Sequence, residues 1–200
     1  MTLEIVVSSR NKAKVAEVIE ILSNLPVKLL TTEDVGDWGE IDEPGETFLE
    51  NALIKARAVA AITGKPSLAD DSGLEVDALG GQPGVHSARF AGPHATDEEN
   101  NAKLMKMMEG KPREKRNARY KCVVALVMPD GSEIAGIGSC EGTIGEDPRG
   151  SGGFGYDPYF VPLEESRTMA ELSPEEKHAI SHRGKALRGL ADQLSRVLTG

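Results

Sequence analysis

The spacing of apolar residues along the chain switches between strand-like and helical periods, and this pattern predicts alternating strands and helices. Leu3–Val7 and Val27–Leu30 are short runs of apolar, largely β-branched residues, which predict two strands. Between them, Val15, Val18 and Leu22 follow the helical period. We therefore expect a first helix that ends near residue 23.

Three further helices are predicted from capping boxes, in which a Ser or Thr is followed three residues later by Glu. These boxes begin at Thr47, Thr96 and Ser173. The first two helices are expected to end near residues 62 and 108, and a last helix is expected from about residue 181.

Two β-rich runs, residues 118–128 and 132–141, flank the sequence Pro129-Asp130-Gly131. This arrangement predicts a β-hairpin. Because no repeat, low-complexity tract or domain boundary interrupts the sequence, we expect one domain over residues 1–200.

The segment from Pro66 to Gly73 joins an apolar run to two adjacent carboxylates, Asp70 and Asp71. The run predicts a buried strand that ends at these carboxylates, followed by a half-buried strand over residues 74–79. Buried carboxylates need a cation, a proton or hydrogen-bond donors, and open α/β sheets bind ligands at strand ends. The alternative is a polar turn in which Asp71 or Ser72 accepts backbone N–H groups.

A polar, basic segment from Ser8 to Lys14 lies between the first strand and the first helix. Helix N–H groups, the helix dipole and cationic side chains would all favour a bound anion there. The segment lacks the glycine pattern of a P-loop. An ordinary turn in which Ser9 or Asn11 caps the helix explains the same residues.

Residues 32–45 form an acidic segment without periodicity, which is typical of a functional or mobile loop. Its residues Asp42 and Glu43 are candidate metal ligands, and a solvated acidic loop is the alternative. In the next predicted helix, Asn51 and Lys55 stand four residues apart and share one face. That face either lines a binding site or forms the solvent edge of a mostly buried helix.

Five glycines fall between residues 145 and 155, with Phe154, Tyr156 and Asp157 beside the last of them. Glycine permits positive φ and close approach of a ligand. An aromatic ring on such a loop is a candidate platform for base stacking. A tight structural loop anchored by its aromatic residues is the alternative.

Composition narrows the class of function. The chain of 200 residues is 39% hydrophobic and 28% charged, as in soluble globular proteins. Its sequence shows neither an apolar run long enough to span a membrane nor a signal peptide. We therefore expect a cytoplasmic protein. Cys122 and Cys140 stand apart and predict two buried thiols. The formal net charge of −9 disfavours binding of a nucleic acid polymer, whereas local cations and a metal ion still permit a small polyanion.

Five segments, in this order, resemble the inosine triphosphate pyrophosphatase family of non-canonical purine nucleoside triphosphatases, and the resemblance covers essentially the whole chain. The segments are Ser9-Arg10-Asn11-Lys12-Ala13-Lys14, Gly45-Glu46-Thr47-Phe48 with Glu50-Asn51-Ala52, Ala69-Asp70-Asp71-Ser72-Gly73-Leu74, Gly152-Gly153-Phe154-Gly155-Tyr156-Asp157-Pro158, and Glu176-Lys177 through Ser181-His182-Arg183. One departure is Ser9-Arg10, where many members have Thr-Gly.

The resemblance implies a mixed α/β fold of the Maf/Ham1-like kind, in which an elongated twisted sheet and flanking helices form two lobes around a cleft. It also implies a homodimer. The implied reaction is the Mg²⁺-dependent hydrolysis of ITP, dITP and XTP to the nucleoside monophosphate and pyrophosphate, which removes these nucleotides from the pool.

By resemblance, Asp71 is the proton acceptor and a metal ligand, and Glu43 or Asp42 supplies a second ligand. The expected substrate contacts are Ser9, Arg10, Asn11, Lys12, Ala13, Lys14 and Lys55 for the triphosphate, Ser72 for the nucleotide, and Phe154, Gly155, Tyr156, Asp157, Lys177, His182 and Arg183 for the base. Of these, Phe154 would stack on the base. Lys177, His182 and Arg183 would donate to a C6 carbonyl oxygen, which adenine lacks.

Two other functions are compatible with parts of the pattern. One is a Maf-like pyrophosphatase for other modified nucleotides, which the Lys177, His182 and Arg183 group disfavours. The other is a purine nucleotide sensor without hydrolysis. Adjacent carboxylates disfavour the sensor, because they repel a triphosphate unless a metal ion is present.

Overall fold

The structure is a computed structural model that describes residues 2–199. Its strands are β1 (Leu3–Val7), β2 (Val27–Leu30), β3 (Ser67–Val76), β4 (Asn117–Val127), β5 (Glu133–Ile144) and β6 (Phe160–Pro162). Its α-helices are α1 (Lys12–Leu22), α2 (Thr32–Val35), α3 (Phe48–Thr63), α4 (Asp97–Met108), α5 (Pro174–Ile180) and α6 (His182–Thr199).

The described strands form one six-stranded sheet in the order β2-β1-β3-β4-β5-β6. Strand β1 pairs in parallel with β2 and β3, and β5 pairs antiparallel with β6. Neighbouring strands β4 and β5 are joined by the predicted turn, where the Gly131 N–H donates to the Met128 carbonyl at 2.9 Å. The expected mixed α/β fold is confirmed.

The predicted helix starts are confirmed. Thr47, Thr96 and Ser173 each accept the N–H of the Glu three residues later, and that Glu accepts the N–H of the cap residue in return. Both donors would otherwise have no partner inside the helix. Helix α3 then ends at Gly64, whose φ of 65° is in the left-handed region that glycine adopts readily.

The prediction that a strand ends at Asp70 and Asp71 is wrong. Strand β3 runs without a break from Ser67 to Val76, so both carboxylates lie inside it. The neighbouring strand β1 does end here: its last pairing is Val7 with Leu68. The two carboxylates therefore lie just beyond the carboxyl end of β1, while their own strand continues. Side chains from α1, α3 and α6 neutralise them or hydrogen-bond to them.

Smaller differences concern residues that carry little periodicity. The acidic segment begins with the single-turn helix α2, which has its own capping box at Thr31. The strand expected over residues 74–79 ends at Val76 and continues as a 3₁₀ helix, Asp77–Leu79. The three-residue strand β6 was not predicted.

Contacts divide the chain into two compact units. Unit 1 contains the residues up to Asp71, Cys122–Gly138, and the residues from Arg183 onward. Unit 2 contains Ser72–Lys121 and Ser139–His182. Each unit has its own apolar core, and the two free cysteines are buried in these cores, Cys122 in unit 1 and Cys140 in unit 2. The cysteine prediction is confirmed.

Helices α1 and α6 cover one face of the sheet in unit 1, and α3 supplies Val59 to the other face, against Val6 and Leu30. Among residues 2–199, none of the helices combines the length and apolar character needed to cross a membrane. A single functional domain with a cleft between two lobes stays a prediction.

Close packing of α6 on β5 predicts a specific effect of adding one methyl group. In Gly136→Ala, the new Cβ would overlap the Ala186 carbonyl oxygen and lie 2.8 Å from the Leu190 nitrogen. We expect the free energy of unfolding to fall by about 1–3 kcal/mol because the backbone must shift. Urea unfolding at equilibrium measures this.

Gly189→Ala is the matched control, since Gly189 lies inside α6 and an added Cβ would meet nothing within 4 Å beyond its chain neighbours and the adjacent backbone of its own helix. Removing a helical glycine there should leave stability unchanged or raise it by up to about 1 kcal/mol. Equal effects of the two substitutions would contradict the packing described for Gly136.

Candidate active site

Asp70 is the centre of a buried ion network in unit 1. Its Oδ2 atom lies 3.1 Å from the Lys14 Nζ of α1 and accepts hydrogen bonds from Arg183 Nε and Nη2 of α6, at 3.2 and 3.1 Å. The third Arg183 nitrogen, Nη1, donates to Glu17 at 2.5 Å. Two cations thus meet one carboxylate away from water, and the arginine is shared between two acids.

This network keeps Asp70 ionised. Burial alone raises the pKa of Asp70, but attraction to Lys14, Arg183 and Lys55 outweighs burial and holds the pKa well below its usual range. Burial likewise opposes the charge of Arg183, and the Asp70 carboxylate more than compensates, so the pKa of Arg183 rises. Asp70 therefore acts as a fixed counter-ion that positions Lys14.

Asp71 faces a different set of side chains. Its Oδ2 accepts a hydrogen bond from Asn51 Nδ2 at 3.1 Å, and its Oδ1 lies 3.8 Å from Lys55 Nζ. Both partners are on α3, four residues apart, as the shared polar face of that helix predicted. Asn51 is completely buried and also bonds both backbone groups of Gly45. The predicted polar face therefore points at a carboxylate rather than at solvent.

Adjacent residues on a strand point to opposite faces of the sheet. Accordingly, Asp70 meets α1 and α6, whereas Asp71 meets α3. Burial raises the pKa of Asp71, and the opposing attraction of Lys55 and Lys14 does not cancel that rise. The two carboxylates thus differ: Asp70 stays ionised, whereas Asp71 is the more basic carboxylate because its pKa is raised.

Lys55 links Asp71 to the acidic loop, because its Nζ lies 2.8 Å from Glu43 Oε2. Burial lowers the pKa of Lys55 on its own, but the carboxylates of Asp71, Asp70 and Glu43 outweigh it, so Lys55 stays charged. Asp42, the other predicted ligand, is exposed. The structure thus brings Glu43 and Asp71 to one cation.

The donor chemistry fits a hard divalent ion. No cluster of three or more His, Cys, Asp or Glu side chains suited to a metal occurs within residues 2–199. Two carboxylates around one position are nevertheless sufficient for Mg²⁺, which keeps several waters and binds through one or two carboxylates plus substrate phosphates. Glu43 and Asp71, which now share the Lys55 ammonium, are the residues that could hold such an ion.

The basic turn before α1 is partly self-satisfied. Asn11 caps the helix by accepting the N–H groups of Ala13 and Lys14 at 3.0 and 3.2 Å, and the Asn11 N–H donates to Ser9 Oγ. Arg10 is exposed and bonds Asp37 at 2.6 and 2.7 Å. Lys12 and Ala13 are exposed in the first helical turn. A bound anion would therefore meet side-chain cations here more readily than free helix N–H groups.

Unit 2 contains the second polar cluster, organised by Asp157 of the glycine loop. One oxygen of Asp157, Oδ2, accepts the Phe154 N–H at 3.0 Å and the Lys177 ammonium at 2.8 Å. The same ammonium lies 4.8 Å from the centroid of the half-buried Phe154 ring. The other oxygen, Oδ1, accepts the Tyr120 hydroxyl at 3.2 Å. One carboxylate thus positions both a ring and a cation.

His182 belongs to this cluster through Tyr120, because their rings stack with centroids 4.6 Å apart. Tyr156 is different: its side chain lies in the core of unit 2 and donates to the Ser87 carbonyl at 2.8 Å. Ser72 is half-buried in β3, directly after Asp71. Arg183 bonds the carboxylates of Asp70 and Glu17 in unit 1.

The profile of the Ham1 family matches residues 5–193. The chain belongs to this family. The resemblance drawn from the five sequence segments is therefore confirmed.

Several curated relatives of this Ham1 family member carry the name dITP/XTP pyrophosphatase. The protein of Geobacter sulfurreducens is 53% identical over 190 residues, which is 95% of this chain and 96% of the relative. That of Geobacillus kaustophilus is 46% identical over 98% of this chain and 97% of its own length. Among solved structures, a HAM1 protein from Coxiella burnetii matches with a TM-score of 0.89 and 45% identity, over 98% of this chain and 100% of that one.

Two residues of the candidate site, Glu17 and Tyr120, were not anticipated from the sequence. Glu17 and Tyr120 lie far in sequence from their partners Arg183 and Asp157, and no local pattern connects them. Asn51 was anticipated as part of the polar face of its helix, but its hydrogen bond to Asp71 was not.

The buried ion network predicts a large, pH-dependent stability effect. Asp70→Asn should lower the free energy of unfolding by about 3 kcal/mol, because Arg183 and Lys14 lose their counter-ion inside the protein. The folded pKa of Asp70 lies below its unfolded value. The difference from wild type is therefore full above about pH 4 and shrinks as the pH falls further. Urea unfolding across this pH range measures it.

Asp37→Asn is the control, because it removes one charge from the exposed Arg10 pair. Exposed ion pairs contribute little, so a much smaller change is expected. The role given to Asp70 would be contradicted if Asp37→Asn lost as much stability as Asp70→Asn. It would also be contradicted if the stability loss of Asp70→Asn did not change with pH below 4.

Proposed function

We propose that this protein hydrolyses non-canonical purine nucleoside triphosphates, namely ITP, dITP and XTP, to the monophosphate and pyrophosphate. The observation that carries the proposal is Asp71, a buried carboxylate with a raised pKa, held by Asn51 beside the charged Lys55. The relatives named dITP/XTP pyrophosphatase support the same reaction.

Asp71 is assigned as the proton acceptor. A water that attacks the α-phosphorus forms a new P–O bond and loses a proton, while the bond to the bridging oxygen breaks and pyrophosphate leaves. Because burial raises the pKa of Asp71, its carboxylate is a better acceptor than an exposed aspartate. Asn51 fixes one oxygen, Oδ2, and leaves Oδ1 on the side of Lys55.

Lys14 and Lys55 supply positive charge for the triphosphate. Each ammonium is buried enough to be only weakly screened, with side-chain exposures of 18% and 13%. Asp70 holds Lys14, and Glu43 and Asp71 hold Lys55, so both cations are in place before substrate arrives. Arg10 and Lys12 are exposed additions to the same charge.

Mg²⁺ is the proposed cofactor, held by Glu43 and Asp71. When bound, this ion would neutralise phosphate oxygens and so offset the repulsion between the triphosphate and the two acids. The remaining ligands of such an ion would come from water and substrate.

The base is assigned to unit 2. The Phe154 ring is a stacking surface, and Lys177 and His182 are donors suited to the C6 carbonyl oxygen of hypoxanthine or xanthine. Adenine presents an amino group at that position and would leave buried donors unpaired, which disfavours it strongly. Arg183 acts at a distance in this proposal, by fixing Asp70 and hence Lys14. A homodimer remains a prediction from the family resemblance, and a cytoplasmic location remains a prediction from the sequence composition.

The assay that tests the function compares ITP, dTTP, ATP and GTP with Mg²⁺ and identifies the phosphate released. ITP should be cleaved preferentially, with pyrophosphate as product. Asp71→Asn should lower turnover by roughly 10²–10⁴-fold, because the amide cannot accept the proton. The amide oxygen of this variant can still accept the hydrogen bond from Asn51.

Circular dichroism and the thermal midpoint of Asp71→Asn should match those of wild type. Release of orthophosphate by the wild-type enzyme would refute attack at the α-phosphorus. Preference for dTTP would indicate a Maf-like enzyme, and binding without turnover would indicate a nucleotide sensor. Near-normal turnover of the variant would remove Asp71 from its role.

The metal assignment makes a separate prediction that distinguishes the two acids of the loop. Glu43→Gln should raise the Mg²⁺ concentration needed for half-maximal activity by roughly tenfold, as expected when one ligand is weakened. Asp42→Asn, at the exposed neighbouring position, should leave it unchanged.

Titration of activity with Mg²⁺ after treatment with a chelator measures both variants. Excess Mg²⁺ should restore Glu43→Gln, whereas a rate deficit that is the same at every Mg²⁺ concentration would mean that Glu43 only positions Lys55. A shift in Asp42→Asn alone would exchange the two assignments.

A further inference from the structure

Helix α4 buries two consecutive asparagines, Asn100 and Asn101, on the side that also carries the fully buried Leu104 and Met108. Asparagine is a poor residue for a helix interior. Buried side-chain amides mostly form hydrogen bonds, so the partners of each asparagine indicate its role. The partners of these two amides lie in different loops.

Asn100 holds the segment before the helix. Its Oδ1 accepts the Ala91 N–H at 2.8 Å, and its Nδ2 donates to the Ala88 carbonyl at 3.2 Å. Asn101 instead reaches the glycine loop, where its Nδ2 donates to the Gly155 carbonyl at 2.9 Å. Asn100 thus has a structural task, while Asn101 contacts the loop that carries Phe154.

Asp97, one helical turn before Asn101, completes the contact. Its Oδ2 accepts the Gly155 N–H at 2.6 Å, a short hydrogen bond to a charged acceptor. Both backbone groups of Gly155 are therefore held by one face of α4, the N–H by Asp97 and the carbonyl by Asn101. Gly155 has φ 63°, in the left-handed region, so its conformation is one that other residues rarely adopt.

The neighbour of Gly155 is the proposed stacking residue. Phe154 is fixed on its other side by the hydrogen bond from its N–H to Asp157. The backbone is thus held both before and after the Phe154 ring, by three side chains in all. A glycine-rich loop would otherwise lose this conformation easily, because glycine has the most backbone freedom to regain.

We propose that Asp97 and Asn101 are positioning residues for purine binding, which fix the Phe154 ring by clamping Gly155. This inference rests on the proposed function and assigns a role to two residues outside the five segments of the family pattern. Neither residue touches the base in this scheme. Their loss should weaken binding of the base while the chemistry at Asp71 proceeds normally.

The test compares Asn101→Ala and Asp97→Ala with two matched variants. Asn101→Ala and Asp97→Ala should each raise KM for ITP roughly tenfold and change kcat less than twofold. This is the effect expected when an interaction that contributes equally to ground-state and transition-state binding is lost. Asp97→Asn keeps an oxygen acceptor for the Gly155 N–H, so its KM should lie close to that of wild type and well below that of Asp97→Ala. Asn100→Ala should lower the thermal midpoint like Asn101→Ala but leave KM unchanged.

Inhibition by products separates base binding from phosphate binding. IMP, which carries the base, should inhibit the clamp variants roughly tenfold more weakly than wild type, whereas inorganic pyrophosphate should inhibit them equally. Hydrogen exchange in residues 152–157 should accelerate in Asn101→Ala and Asp97→Ala and stay unchanged in Asn100→Ala. This last measurement does not depend on activity.

The outcomes are distinct. If KM and the inhibition by IMP are unchanged while the thermal midpoint of Asn101→Ala falls, the clamp is only structural and the proposal is overturned. Unchanged exchange in residues 152–157 overturns it as well. A wild-type enzyme that releases no pyrophosphate from ITP would refute the proposed function instead. The hydrogen-exchange measurement, which does not depend on activity, would still decide whether Asp97 and Asn101 hold residues 152–157 in place.

Discussion

The alternation of side chains along β3 is the constraint on which the rest of the candidate site depends. Because β3 continues through Asp70 and Asp71, it sends one carboxylate to α1 and α6 and the other to α3. Adjacent residues of a strand point to opposite faces of the sheet, so the two acids have different partners. This difference in partners distinguishes a fixed counter-ion, Asp70, from a candidate base, Asp71.

The sequence was sufficient for the three helices that begin at the predicted capping boxes, but it was insufficient for this strand and for the single-turn helix α2. Capping boxes at Thr47, Thr96 and Ser173 place helix starts through contacts within four residues, so local sequence determines them. Residues 69–73 have low intrinsic strand propensity. They lie in a strand between β1 and β4, and side chains from distant helices satisfy Asp70 and Asp71 there. No local pattern reports those contacts. The short strand β6 depends in the same way on its partner β5.

For the site, the residue types were predictable and their pairings were not. Lys14, Lys55 and Lys177 were predicted to contact substrate, which stays a prediction, and the structure shows that each is also held by a carboxylate of the protein. Arg183 shows why: its partners Asp70 and Glu17 lie more than a hundred residues earlier in the chain, as their separations of 113 and 166 residues show. Gly153 shows a further limit, because an added Cβ would overlap the Asp157 carboxylate, a contact visible only in three dimensions.

The same physical arrangement recurs in both units. In unit 1, Asp70 holds Lys14, and in unit 2, Asp157 holds Lys177 while also accepting the Phe154 N–H. In the proposed function, each cation would then meet an anionic or carbonyl oxygen of the substrate without a search among rotamers. This explains how a chain with a formal net charge of −9 is compatible with a triphosphate. Its carboxylates hold its lysine side chains in fixed positions. For binding an anion, the placement of these cations therefore matters more than the net charge of the chain.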